Sequence, residues 1–140
     1  MATHDEAPAR KASGAELARA GEGAAAEGQG ALRTAVANAM VGLKKQFYGK
    51  GPTGAKTYLN DDYVFVVLED GLTRNEETLL AAGRADLVRS YRLAFQEAMA
   101  ATLTGAVEEL VGRRVMSYHS QIVFNPTRTF EIFVLERAGD

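Results

Sequence analysis

Lysine, glycine and threonine crowd together in GKGPTGAKTY at residues 49–58, a grouping close to a phosphate-binding loop. That loop asks for a glycine, four residues, then Gly-Lys-Ser/Thr, so that backbone N–H groups and a lysine surround a phosphate. Here Gly49 is followed after four residues by Gly54, but Ala55 separates that glycine from Lys56 and Thr57. The order of elements also opposes the chemistry. A phosphate loop leads from a strand into the positive amino end of a helix. In this chain an amphipathic stripe precedes the glycines and strand-like sequence follows, which presents the negative carboxyl end of a helix. The segment is read as a helix-to-strand corner flanked by Lys50 and Lys56, with a small-anion site as the alternative.

Other reactive groupings are sparse. The chain has no cysteine and two histidines, His4 and His119, which leaves structural zinc without its usual paired ligands. Asp61-Asp62 suits a turn, where aspartate bonds its own backbone, and two adjacent carboxylates make a poor cation cage. Ser117 and Ser120 flank His119, but no glycine-flanked elbow presents either hydroxyl as a nucleophile. No enzyme, metal or cofactor is expected. Arg92 stands apart because Tyr91 and Phe95 place it near an apolar stripe, and a partly buried arginine needs a carboxylate or a bound anion. Lys50, Lys56, Arg92 and Arg113 are the candidate ligand contacts.

The elements that would position these groups follow from periodicity. Leu32, Val36, Met40, Leu43 and Phe47 form a helical stripe, closed by Gly49. AKTYLN and YVFVVLED read as a hairpin around Asn60-Asp61-Asp62. Thr73 followed by Glu76 is a capping box that opens a helix, and Gly83 interrupts it. Leu87, Val88, Tyr91, Phe95, Met99, Leu103 and Leu110 then carry a second stripe to Gly112, a span on the order of 40 Å. VMSYHSQIVF, the turn NPT and RTFEIFVLE complete a second hairpin. The order α-β-β-α-α-β-β predicts an α+β fold, a four-stranded antiparallel sheet from two hairpins with one long and one shorter helix packed on it.

Both faces of those strands are apolar. Val64, Val66 and Leu68 oppose Tyr63, Phe65 and Val67, while Phe130, Ile132 and Val134 oppose Glu131, Phe133 and Leu135. If helices cover one face, the second needs a homodimer partner or a wrapping helix. Residues 1–30 hold ten alanines and five glycines and are expected to form a flexible tail ahead of a single domain at 31–140. That domain carries thirteen basic and thirteen acidic residues, a balance that opposes duplex binding, although Lys44, Lys45, Lys50 and Lys56 could form a local patch. No apolar segment reaches the roughly 20 residues of a membrane span, no secretory signal is readable, and a cytoplasmic address is expected.

The stretch from Gly49 to Leu135 resembles the MpsC family, small domains named for a sodium-translocating, membrane-potential-generating system. The likeness rests on Gly-Pro-Thr-x-Ala-Lys at Gly51–Lys56, Leu72-Thr73, Gly83-Arg84, the Arg-x-x-Phe-x-x-x-Met run from Arg92 to Met99, Glu108 to Arg113, and the closing strand at 131–135. It extends over nearly all of residues 31–140. Arg114 stands where members of the family often carry lysine. The resemblance implies a soluble accessory or regulatory component that contacts proteins of a membrane ion-translocation system, with no established catalytic residue. The alternative is a small-anion or nucleic-acid binding module using the lysine patch.

Overall fold

A computed structural model describes residues 14–137, with side chains described over 27–137. Helix α1 spans Gly14–Tyr48, and strands β1 (Gly54–Asn60) and β2 (Tyr63–Glu69) form the first hairpin. Helices α2 (Arg74–Ala81) and α3 (Ala85–Val111) precede the second hairpin, β3 (Val115–Val123) and β4 (Arg128–Leu135). The order is the one expected. The sheet runs β1-β2-β4-β3, every pair antiparallel, so β2 and β4 join the two hairpins at its centre.

Helix α1 begins well before its apolar stripe. Residues 14–30, where glycine content suggests a tail, continue the helix, while residues 1–13, including His4, lie outside the described residues. Extending an existing helix adds one hydrogen bond per residue fixed and avoids a new nucleation step. Alanine is the best residue for that extension, and the run of alanines offsets the interspersed glycines.

The boundaries of the remaining elements have local causes. Gly49 takes φ +81° and its N–H donates to the Lys45 carbonyl, ending α1. Thr73 caps α2 through the reciprocal bonds with Glu76. Gly83 at φ +79° separates α2 from α3, and Gly112 at φ +71° closes α3 in the left-handed conformation.

Helices α1 and α3 cover one face of the sheet, α1 over β1 and α3 over β3, and α2 leans on α3. The core between these layers comprises Val36 and Met40 of α1, Met99, Leu103 and Val107 of α3, and Val64, Val66, Leu68, Phe133 and Leu135 of the sheet. Strand alternation therefore sends Glu131 inward with Phe133 and Leu135. The corner after α1 packs against the exit of β2, where Thr53 donates to the Glu69 carbonyl and to Asp70.

Gly71 sits at this junction with φ +94°, and a Cβ there would lie 3.3 Å from Pro52 backbone atoms. Gly71→Ala is expected to cost about 1–3 kcal/mol in chemical denaturation. Gly105 lies in α3 with open space around it, and Gly105→Ala is expected to stabilise by roughly 0.5–1 kcal/mol. Equal effects of the two substitutions would contradict the assignment of Gly71 as a conformational requirement.

Candidate functional site

The four candidate contacts lie on separate parts of the fold. Lys50 is exposed in the corner after α1, and Lys56 is exposed on β1 with its ammonium 5.2 Å from the Tyr58 ring centroid. Arg113, directly after α3, clamps the far end of the sheet. It donates to the Glu136 carbonyl, to the Asp61 carbonyl at 3.1 Å and to Asp62 Oδ1 at 2.6 Å. Arg92 is inside the domain.

Lys44 leaves the supposed lysine patch altogether. Only 2% exposed, it donates to Glu131 Oε2 at 3.1 Å. The reason is its position four residues after Met40, on the face of α1 that meets the sheet. His119 is exposed and contacts Ser117 at 3.1 Å, while Ser120 turns inward to donate to Glu131. No serine–histidine pair of the nucleophilic kind is thus assembled at Ser120. Among the described residues no group of three or more potential ligands could hold a metal.

Two ionic clusters occupy the space between the helices and the sheet. In the first, Glu131 is fully buried and meets three donors: Lys44, Ser120 at 2.8 Å and the Tyr118 hydroxyl. Tyr118 also reaches Gln96 Oε1 at 2.8 Å, so its one proton is shared between an amide and a carboxylate. Burial lowers the Lys44 pKa, with Glu131 offsetting part of the effect. Burial raises the Tyr118 pKa, and the Glu131 charge adds to it, which keeps the phenol protonated as a donor.

In the second cluster, Arg92 donates from Nε to Glu76 Oε2 at 2.5 Å and from Nη2 to Glu76 Oε1 at 2.6 Å. Such a two-point fork is the strongest form of this contact. Arg92 Nη2 also donates to the Gly71 carbonyl at 3.1 Å, and its guanidinium lies 3.9 Å from the Tyr48 ring centroid. The same Glu76 carboxylate receives the Thr73 backbone N–H at 2.8 Å. Burial alone would raise the Glu76 pKa, but hydrogen bonds from Arg92 and Thr73 outweigh it and the net shift is downward.

Among the described residues no helix lies over the opposite face of the sheet. Tyr58, Phe65 and Phe130 form a row across β1, β2 and β4 with successive ring centroids 5.9 Å apart. Tyr63, Val67, Ile132 and Val134 share that face by strand alternation, and Tyr63 is 53% exposed. Its charges are largely answered within the face. Arg128 pairs with Glu69 at 3.0 Å, and Lys56 lies over Tyr58.

A family model described as Na+-translocating membrane potential-generating system (MpsC) matches residues 28–137. The chain belongs to the MpsC family. No curated protein and no solved structure matches it. Among the described residues of this MpsC-family domain, no helix is long and apolar enough to cross a membrane.

Tyr48, Gln96, Tyr118 and Glu131 escape motif reading as members of the ionic clusters, while Glu76 is read only as a capping residue and Lys44 only as part of a lysine patch. Two carry a visible signal in retrospect, since Glu131 interrupts an apolar alternation and Lys44 falls on an apolar stripe.

Because its folded-state pKa is depressed, Glu76 contributes stability that is complete above the unfolded carboxylate value of ~4.3 and is lost as pH falls through the folded value. Urea midpoints measured from pH 7 to pH 3 should fall below about pH 4.3 in the natural protein. Glu76→Gln should start from a lower midpoint and show a flatter profile in that window. Parallel profiles would remove Glu76 as a source of the acid sensitivity.

Proposed function

We propose that this domain is a non-enzymatic, cytoplasmic accessory component of the membrane ion-translocation system by which its family is described, and that it works as a homodimer. The observation that carries this reading is the uncovered sheet face bearing Tyr58, Tyr63, Phe65, Phe130, Ile132 and Val134. A contiguous apolar surface of this kind marks an interaction site, and two sheets can stack face to face about 10 Å apart. A like face suits it. Arg128 is neutralised by Glu69 within the same face, so that pair sets no uncompensated charge against a second copy.

The interior supports the non-enzymatic part. Glu131, Lys44, Glu76 and Arg92 engage one another and their neighbours in hydrogen bonds that join elements of the fold, a use that accounts for their burial without a reaction. Burial of Lys44 leaves Lys45, Lys50 and Lys56 as the exposed members of the patch, which weakens the anion or nucleic-acid alternative. In this reading the accessory role is regulatory and acts through protein contacts. The dimer presents its helical surfaces to the membrane proteins.

Sedimentation at micromolar concentration should give a dimer for the natural chain and a monomer for Phe130→Glu with unchanged circular dichroism. Burying that unpaired charge twice in a symmetric interface should raise the dimer dissociation constant at least about tenfold. A natural chain that sediments as a monomer would remove the homodimer. Pull-down from native membranes should recover ion-translocating proteins, and recovery of none would count against the accessory role.

A further inference from the structure

The sheet ends on one side at β3, which pairs only with β4, and among the described residues no backbone hydrogen bond outside that ladder involves Tyr118–Val123. Such an edge is a template for another strand unless charge, proline or a bulge blunts it. The other edge, β1, carries Lys56. Over its nine residues β3 has no Lys, Arg, Asp, Glu or Pro, and its register shift lies at the start, between Val115 and Ser117. Helix α3 runs beside this edge and leaves a groove, formed by two cavities of about 160 Å3 and 340 Å3 that share Leu93, Gln96 and Ser120.

The two ends of the groove differ in charge. Arg89 stands at the Ile122 end and Glu97 at the Tyr118 end. Both are exposed, and neither has an ion-pair partner among the described residues. Leu93, 58% exposed, lies midway between them in sequence, about one helical turn from each. Eight helical residues span about 12 Å, close to the ~13 Å from i to i+4 in an extended chain, where i, i+2 and i+4 share one face. A second copy does not fit this edge. Because α3 packs on β3, antiparallel pairing of two β3 edges would set two α3 helices about 5 Å apart, and packed helices need about 8–10 Å. We propose that the groove takes up an extended segment of a partner protein as a fifth strand antiparallel to β3. Alternate residues of that segment, read from its amino end, are acidic against Arg89, apolar against Leu93 and basic against Glu97. The bare sheet face is not used, so this site stands whether or not the homodimer forms.

The test is an NMR titration of the isotope-labelled full chain with the synthetic peptide acetyl-Thr-Glu-Thr-Val-Thr-Lys-Thr-amide. One comparison peptide has Glu and Lys exchanged, and another is N-methylated at Val and the Thr after it, which removes ladder donors in either register. Shifts should saturate below about 1 mM and be largest at the amides of Tyr118–Ile122. The exchanged peptide should bind about threefold or more weakly, and the methylated one should not bind. Combining Arg89→Glu with Glu97→Lys, both on the exposed side of α3, should reverse the preference between the first two peptides while the spectrum keeps its dispersion. Shifts that never saturate would overturn the proposal, as would equal binding of the exchanged or methylated peptide, an unreversed preference in the double variant, or shifts centred on Tyr58, Phe65 and Phe130. Sedimentation decides the homodimer separately, because the titration requires neither of its outcomes.

Discussion

One carboxylate fixes the relation between three parts of this fold. Glu76 caps its own helix by accepting the Thr73 N–H and, with the same two oxygens, receives the fork of Arg92 from α3. Arg92 in turn holds the Gly71 carbonyl, so the chain leaving β2, the start of α2 and the first third of α3 are tied at one point. An arginine only 5% exposed keeps little water around it, and a buried charge that loses its partner is strongly destabilising. The position of α2 therefore follows from charge neutralisation as well as from apolar packing, since Glu76 is its buried residue and Leu79 and Leu80 pack partly buried against Leu72, Val88 and Ile122.

The same constraint recurs around Glu131, which gathers Lys44 from α1 and Tyr118 and Ser120 from β3. Both helices that cover the sheet are thus pinned by an ionic contact as well as by the core. Directional contacts of this sort fix where α1 and α3 lie across the strands, which apolar packing alone leaves looser. With the interior charges committed to one another, the proposed dimer surface is the bare side of the sheet. Its aromatic row spans three strands.

Much of the architecture is legible in the residues themselves. The stripe from Leu32 to Phe47, the Thr73–Glu76 capping box, the break at Gly83 and the stop at Gly112 each rest on interactions within one or two turns, and local interactions leave local signatures. The two-faced apolar alternation of Tyr63–Leu68 likewise exposes the need for two covers. The ionic clusters resist such reading because their partners are distant in sequence: Lys44 and Glu131 are 87 residues apart, and Glu76 and Arg92 are 16 apart. Arg92 could be seen to need a partner, but Glu76 already had one role as a capping residue. The start of α1 was hidden for a different reason, since glycine content argues against helix residue by residue while extension from the stripe is cooperative.

The coupling between Glu76 and Arg92 is the quantity on which this account stands. A double-mutant cycle with Glu76→Gln and Arg92→Met, read by chemical denaturation at neutral pH, measures it directly. Each single substitution should lose about 3–5 kcal/mol, and the double variant should recover a coupling of about 2–3 kcal/mol. Additive losses, or single variants within about 0.5 kcal/mol of the natural protein, would contradict the claim that this pair holds the helices in place.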